Sequence, residues 1–127
     1  IYGWEAALEY LQAVTVEAVA QHDRALSARF LKGLSSMQGI RLAGPASPEG
    51  RVGVFSLDFT GLDNGDAAFR LETEFGILTR CGLHCAPSAH KTLGTFPQGT
   101  VRFSFGWSST EADVDRTLEA IAAVSAG

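Results

Sequence analysis

Residues 79–87, TRCGLHCAP, place two thiols, an imidazole and a guanidinium within nine positions. Cys81 and Cys85 are four residues apart, Arg80 directly precedes Cys81, and His84 directly precedes Cys85. Side chains of these types could bind a metal, form a disulfide, supply a reactive thiol or pack in a core. The spacing and the flanking residues discriminate between these four.

A structural zinc site would need Cys81, His84, Cys85 and His90 as ligands. The C-x-x-H-C spacing lacks the C-x-x-C pair, and the remote second pair, that such sites favour. A disulfide between the two cysteines would have to bend a strand end sharply and would be reduced in the cytoplasm. We therefore expect neither a metal nor a disulfide, and a small zinc domain stays a minor alternative.

The two thiols differ in their expected surroundings. Cys81 lies at the end of a predicted strand, and because cysteine is often buried we expect it to fill a small space in the core. Cys85 follows Gly82, lies beside His84 and precedes Pro87, which is suited to open a short helical turn. Cationic neighbours and a helix N-terminus favour the nucleophilic thiolate. From the residues alone, a reactive Cys85 and a buried one are about equally supported.

The composition is that of a small acidic globular domain. Of 127 residues, 46% are hydrophobic and 19% charged, with a formal net charge of -4, and one core is the default at this size. The basic residues are spread thinly along the sequence and form no basic patch of the kind that binds nucleic acid. No apolar run approaches the roughly 20 residues of a membrane span. Two cysteines and no signal-peptide pattern predict a reducing, cytoplasmic setting. A helical pattern that begins at once, without an initiator Met, predicts a piece of a longer protein.

Hydrophobic periodicity predicts the element order α, α, β, β, α, β, short α, β, α. In the last strand, Val101 and Phe103 alternate with Arg102, which is therefore expected to point away from the core. The order suggests an α+β domain with a small four-stranded, mainly antiparallel sheet and helices packed on one face. The first predicted helix covers 4–13, and a short one lies in 87–94. Three longer helices are predicted to start after Thr15, after Asp63 or Asn64, and after Thr110. The predicted strands lie around 40–42, 51–59, 77–81 and 100–107.

The stretch GILTRCGLHCAPSAHKTLGTFPQGTVRFSFGWSSTEADVDRTLEAI resembles the C-terminal small domain of the class V aminotransferase family. Within it, the match is to the cysteine desulfurase and selenocysteine lyase branch, with its R-x-G-x-H-C motif. The opening IYGWEAALEYLQAV is similar to the helix that returns from the large domain of these enzymes. The resemblance implies that residues 1–127 are one domain, the C-terminal domain of a pyridoxal phosphate enzyme of fold type I whose large domain is absent.

The same resemblance implies roles for four residues. Enzymes of this branch remove sulfur or selenium from cysteine or selenocysteine and leave alanine. Cys85 matches the cysteine that accepts the sulfur as a persulfide, and Arg102 matches the arginine that binds the substrate α-carboxylate. Arg80 matches an arginine that shapes the same pocket, and His84 is an auxiliary candidate that would tune the thiol. The planar fork of arginine suits bidentate carboxylate binding.

The cofactor is assigned by the resemblance to the missing part. Pyridoxal phosphate is held there by a lysine, a histidine and an aspartate of the large domain, whereas Lys32 and Lys91 stand outside the family's lysine context and are expected on the surface. We therefore predict no cofactor-binding residue in this chain and no turnover by it alone. The whole enzyme is expected to be a homodimer that passes sulfur to an acceptor protein.

Two departures from the family pattern leave the substrate open. Cys81 adds a second thiol inside the motif, and Trp107-Ser108 replaces the expected aromatic–asparagine pair. An aminotransferase-like or other lyase activity on pyridoxal phosphate, without desulfuration, is the main alternative. A separate sulfur-accepting module without cofactor is another.

Overall fold

The computed structural model describes residues 1–126, which form a four-stranded sheet and five helices. The sheet order is β1-β2-β4-β3, and all neighbouring strands are antiparallel. The predicted α+β class, element order and four-stranded sheet are confirmed. The elements are α1 (Tyr2–Val14), α2 (Val16–Leu34), β1 (Ile40–Ala43), β2 (Val54–Phe59), α3 (Asn64–Phe75), β3 (Arg80–Gly82), α4 (Pro87–Leu93), β4 (Thr100–Ser104) and α5 (Glu111–Ser125).

The core lies between one face of the sheet and the layer formed by α2, α3 and α5. Alternate residues of the two central strands enter it, and the register sets Phe55 against Phe103 and Leu57 against Val101. Phe30 of α2 meets Phe55 edge-on, with 4.7 Å between the ring centroids. Full burial of each such side chain contributes about 1.5–3 kcal/mol. These contacts fix β2 and β4 as the rigid centre of the sheet.

Local sequence signals set the helix ends. The Thr15 hydroxyl accepts a hydrogen bond in the first turn of α2, and the Asp63 carboxylate caps α3. Gly76 ends α3 in the left-handed conformation, with φ 66°, where glycine carries no steric cost. Thr110 and Asp113 form a reciprocal capping box at the start of α5, as their spacing predicts. The flanks of the site are thus held by satisfied helix termini.

Helix α1 contributes nothing to this core, since none of its residues is buried. Its apolar stripe faces outward, and Trp4 keeps 80% of its surface exposed. Within residues 1–126, no helix has both the length and the apolar character that a membrane crossing requires.

Strand β3 differs most from the prediction. It pairs over three residues, Arg80–Gly82, and forms an edge of the sheet, whereas the sequence suggests a strand over 77–81. The expectation of a buried Cys81 is wrong: the residue is exposed, because a short edge strand has a neighbour on one side only. β2 and β4 are also shorter than predicted, since each ends where the chain turns away near Gly53 and Phe105.

Candidate functional site

The sheet face opposite the helices carries two arginines side by side. Arg80 on β3 is paired directly with Arg102 on β4, and the same row continues to Ser56 on β2 and Ala43 on β1. Arg102 is half-buried and Arg80 is exposed. The alternation of β4 correctly predicts that Arg102 points away from the core.

Neither guanidinium group has a counter-charge in the described part of the chain. Within residues 1–126, Arg80 and Arg102 form no salt bridge and no side-chain hydrogen bond. By contrast, Arg41 on the same face contacts the Asp58 carboxylate at 2.9 Å. Like charges directly opposite each other destabilise a sheet. The two adjacent guanidinium groups thus keep their donors free, and the planar fork of each is of the kind that pairs with a carboxylate.

Cys85 lies in a tight turn immediately after β3. The Ala86 backbone N–H donates to the Leu83 carbonyl at 2.8 Å, and the two central residues, His84 and Cys85, have φ of 51° and 59°. Two positive φ values are typical of a type I′ turn, which glycine, asparagine and aspartate normally occupy. A left-handed conformation at another residue costs on the order of 1–3 kcal/mol and clusters at functional sites. Here the strain lies at an exposed, free thiol.

The base of this turn is fixed to β4 by a contact between two glycines. A Cβ on Gly99 would overlap the backbone of Gly82, and Gly99 has φ 76°. Asn64, at the start of α3, is buried; its amide donates to the Gly99 carbonyl at 3.2 Å and its Oδ1 accepts from the Phe59 backbone at 3.0 Å. Sequence reasoning treats Asn64 only as a candidate helix cap and misses this role, which depends on a contact 35 residues away.

His84 lies beside the arginine pair with both ring nitrogens shielded from solvent and, among the described residues, without a hydrogen-bond partner. Burial lowers the pKa of His84 from its ordinary value, the positive charge of Arg102 lowers it further, and His90 and Arg80 add smaller effects in the same direction. The Thr100 backbone opposes the shift. The lowered pKa of His84 favours the neutral imidazole.

Both lysines are exposed. Lys32 is exposed in the last turn of α2, in the helix layer, and the Lys91 ammonium lies 5.1 Å from the centroid of the Phe96 ring. The predicted surface positions of both are confirmed. Both ammonium groups therefore lie at the surface, which does not suit the enclosed position that covalent attachment of an aldehyde cofactor needs. No group of three or more His, Cys, Asp or Glu side chains in residues 1–126 is arranged to hold a metal ion.

Trp107, one of the departures from the family pattern, joins α1 to the segment after β4. Its indole N–H donates to the Tyr10 hydroxyl at 2.7 Å, and its ring lies 5.2 Å from that of His22. His22 is half-buried and donates from Nε2 to the Ser109 carbonyl at 2.8 Å. These contacts hold the outer helix near one end of β4.

Comparison with known proteins gives consistent results. The family described as Aminotransferase class-V matches residues 1–117. The chain is 36% identical over 121 residues to a probable cysteine desulfurase of Pseudomonas putida, covering 95% of the chain and 28% of that protein. It is 34% identical to probable cysteine desulfurase 2 of Mycobacterium leprae, with the same two coverages of 95% and 28%.

Solved structures of cysteine desulfurases are also similar to this chain. The apo cysteine desulfurase of Thermococcus onnurineus NA1 is similar with a TM-score of 0.87 and 28% identity, over 96% of this chain and 30% of that one. The cysteine desulfurase CsdA of Escherichia coli gives 0.79 and 29%, over 94% and 28%. The chain thus spans less than a third of the length of these relatives.

Proposed function

The chain belongs to the aminotransferase class-V family, and on that premise we propose that it is the part of a pyridoxal phosphate-dependent cysteine desulfurase that supplies the sulfur-accepting thiol and the carboxylate-binding arginines. The observation that carries the proposal is the unpaired Arg80–Arg102 row beside a strained turn that exposes Cys85. An anion site and a thiol so close together suit an amino acid that carries its reactive sulfur near its carboxylate.

Arg102 is the proposed main contact for the substrate α-carboxylate. It is half-buried on a central strand, so its guanidinium is less hydrated and better fixed than one on a loop. Arg80, on the edge strand, adds a second positive charge to the same row. A carboxylate bound there would remove the repulsion between the two arginines, and this relief adds to the binding free energy.

Cys85 is the proposed nucleophile. Its sulfur would attack the sulfur of the substrate, forming a new S–S bond while the substrate C–S bond breaks. The electron pair of the C–S bond stays with the carbon skeleton, which takes up a proton and leaves as alanine, and Cys85 keeps the persulfide. His84, neutral and adjacent, would accept the thiol proton beforehand. Pyridoxal phosphate, held by the rest of the enzyme, supplies the electron sink that lets the substrate bond break.

The wider setting belongs to the same proposal. The whole enzyme would be a cytoplasmic homodimer acting on cysteine or selenocysteine and passing sulfur to an acceptor protein. The isolated chain would not turn over, because no residue described in it fits attachment of the cofactor. If the longer protein transaminates amino acids but releases neither sulfide nor alanine from cysteine, the aminotransferase-like alternative is favoured.

The decisive experiment measures alanine and sulfide release from cysteine by the longer protein, with its lysine and cofactor present. Cys85→Ser should lower both rates by on the order of 100-fold or more, because no thiol remains at the turn. Cys81→Ser is the matched control: it removes an equally exposed thiol four residues away and should leave both rates near those of the wild type. Equal alanine release by all three proteins would exclude Cys85 as the sulfur acceptor.

A further inference from the structure

His90 is buried although the segment around it is mostly exposed. The residue retains 6% of its surface, on the short helix α4 that follows the Cys85 turn. Its Nδ1 lies 2.7 Å from the Thr95 hydroxyl, and the Thr95 backbone N–H donates to the His90 carbonyl at 2.9 Å. Thr95 is itself buried. Two contacts to one residue fix both the backbone and the ring of His90.

The fixed ring faces His84. The centroids of the two imidazoles are 5.8 Å apart, with 43° between their planes. Both His84 nitrogens and the nearby Thr100 hydroxyl are shielded from solvent and have no hydrogen-bond partner among residues 1–126. The His84 ring approaches the Thr100 backbone but forms no well-aligned hydrogen bond there, so hydrogen bonding alone does not fix its position. Packing against its neighbours must do so, and His90 is the neighbour whose own orientation is locked.

The backbone beside His84 needs such a constraint. The turn that carries Cys85 has positive φ at two residues that do not favour it, and a strained conformation persists only where its surroundings over-determine it. One end of the turn is fixed by the contact of Gly82 with Gly99. The side chain of His84 is the available anchor for the middle of the turn.

We propose that His90 is a positioning residue for Cys85: locked by Thr95, its ring holds the His84 ring in place and so keeps the His84–Cys85 turn in its strained form. The consequence for catalysis rests on the proposed function, whereas the structural part does not. His90 itself does not touch the substrate in this scheme. The hydroxyl of Thr95, ten residues beyond the thiol, becomes a determinant of where the thiol stands.

The test uses Thr95→Val, which removes the hydroxyl and keeps the shape, with Thr95→Ser as the matched control that keeps the hydroxyl. The readout is NMR of the histidine rings in this chain; the chain has three histidines, and His22→Gln identifies one signal. In the wild type, cross-peaks should join the rings of His84 and His90. His84 should titrate at a lower pH than an unperturbed histidine, whose pKa is about 6.5. Thr95→Ser should preserve both features.

Thr95→Val should weaken the cross-peaks and move the His84 titration midpoint upward, toward that ordinary value, as the ring gains access to water. A folded Thr95→Val chain with unchanged cross-peaks and midpoint would overturn the proposal. His90→Asn offers a second route if Thr95→Val does not fold: it keeps a polar group near the Thr95 hydroxyl and removes the ring. It too should raise the His84 midpoint, and an unchanged midpoint in that folded variant would equally overturn the proposal.

In the longer protein, Thr95→Val should lower kcat for alanine release about tenfold or more, because a thiol displaced by about 1 Å reacts far more slowly, while KM for cysteine stays near that of the wild type. The two proposals can fail separately. Release of His84 by Thr95→Val together with full activity of Cys85→Ser would support the positioning role and refute the assignment of Cys85 as the sulfur acceptor. If Thr95→Val leaves His84 in place and Cys85→Ser is inactive, the positioning role is refuted and the role of Cys85 is supported.

Discussion

Replacing Arg80 by glutamine should raise the free energy of unfolding of this chain. Arg80 lies directly opposite Arg102, and neither has a carboxylate partner within residues 1–126. For two unit charges about 6 Å apart, slightly more than the Cβ spacing of an opposed strand pair, the repulsion in water is about 0.7 kcal/mol. It rises to about 1 kcal/mol if the half-buried position of Arg102 lowers the effective dielectric constant to near 55.

Urea unfolding at about 10 mM and 1 M salt measures this effect. The Debye length falls from about 30 Å to about 3 Å between the two conditions, so the gain from Arg80→Gln should be present at low salt and nearly absent at high salt. Arg41→Gln is the control on the same sheet face, because Arg41 bonds Asp58 at 2.9 Å. Its loss should lower stability, by up to about 1 kcal/mol for a solvent-exposed pair.

The two variants must therefore differ in sign. If Arg80→Gln destabilises the chain as Arg41→Gln does, or if its gain is independent of salt, the arginine pair is not an unsatisfied anion site and the reasoning fails. A further check adds acetate at constant ionic strength. With a dissociation constant of about 10 mM, 100 mM acetate should stabilise the wild type by about 1.4 kcal/mol and Arg80→Gln by less.

Three other substitutions test single links of the argument. Gly99→Ala should destabilise by roughly 2 kcal/mol or more, since its Cβ would overlap the Gly82 backbone at a positive φ; thermal unfolding against Gly61→Ala, where nothing lies within 4 Å, measures it. The pKa of His84 is lowered in the folded chain, so the unfolded chain takes up the proton first and the free energy of unfolding falls as the pH drops below about 6.5. His84→Asn should make this fall smaller, and urea unfolding between pH 7 and 5 measures it. Thr110→Ala should lower the free energy of unfolding by about 1 kcal/mol through loss of its capping box, and a change below about 0.3 kcal/mol in a urea titration would contradict that assignment.

The α+β architecture follows from patterns that are local in the sequence. The alternation of Val101, Arg102 and Phe103 places one face of β4 in the core, as observed, because successive side chains of a strand point to opposite faces. The helix ends at Thr15 and Thr110 are likewise predictable, since a side-chain oxygen near the free backbone N–H groups of a first turn is a local signal.

The environment of the site depends on contacts that the sequence does not display. Cys81 is exposed because β3 is an edge strand, and the order of strands in a sheet is set by packing over long distances. The positive φ of Cys85 occurs at a residue type that gives no warning of it. Asn64 reaches across 35 positions to Gly99. Position in the fold, and not residue type, decides these features.

Polar groups without partners and backbone strain occur together at the proposed site. Seven buried polar side-chain atoms in residues 1–126 have no hydrogen-bond partner, and three of them belong to His84 and Thr100. The opposed Arg80–Arg102 pair and the strained turn at Cys85 lie next to them, whereas Arg29, Arg41 and Arg70 are paired with carboxylates. Each of these features costs stability, and the buried core of β2 and β4 offsets the cost. A bound carboxylate would meet the arginines' part of this demand, which is why the local instability is itself an argument for a binding site.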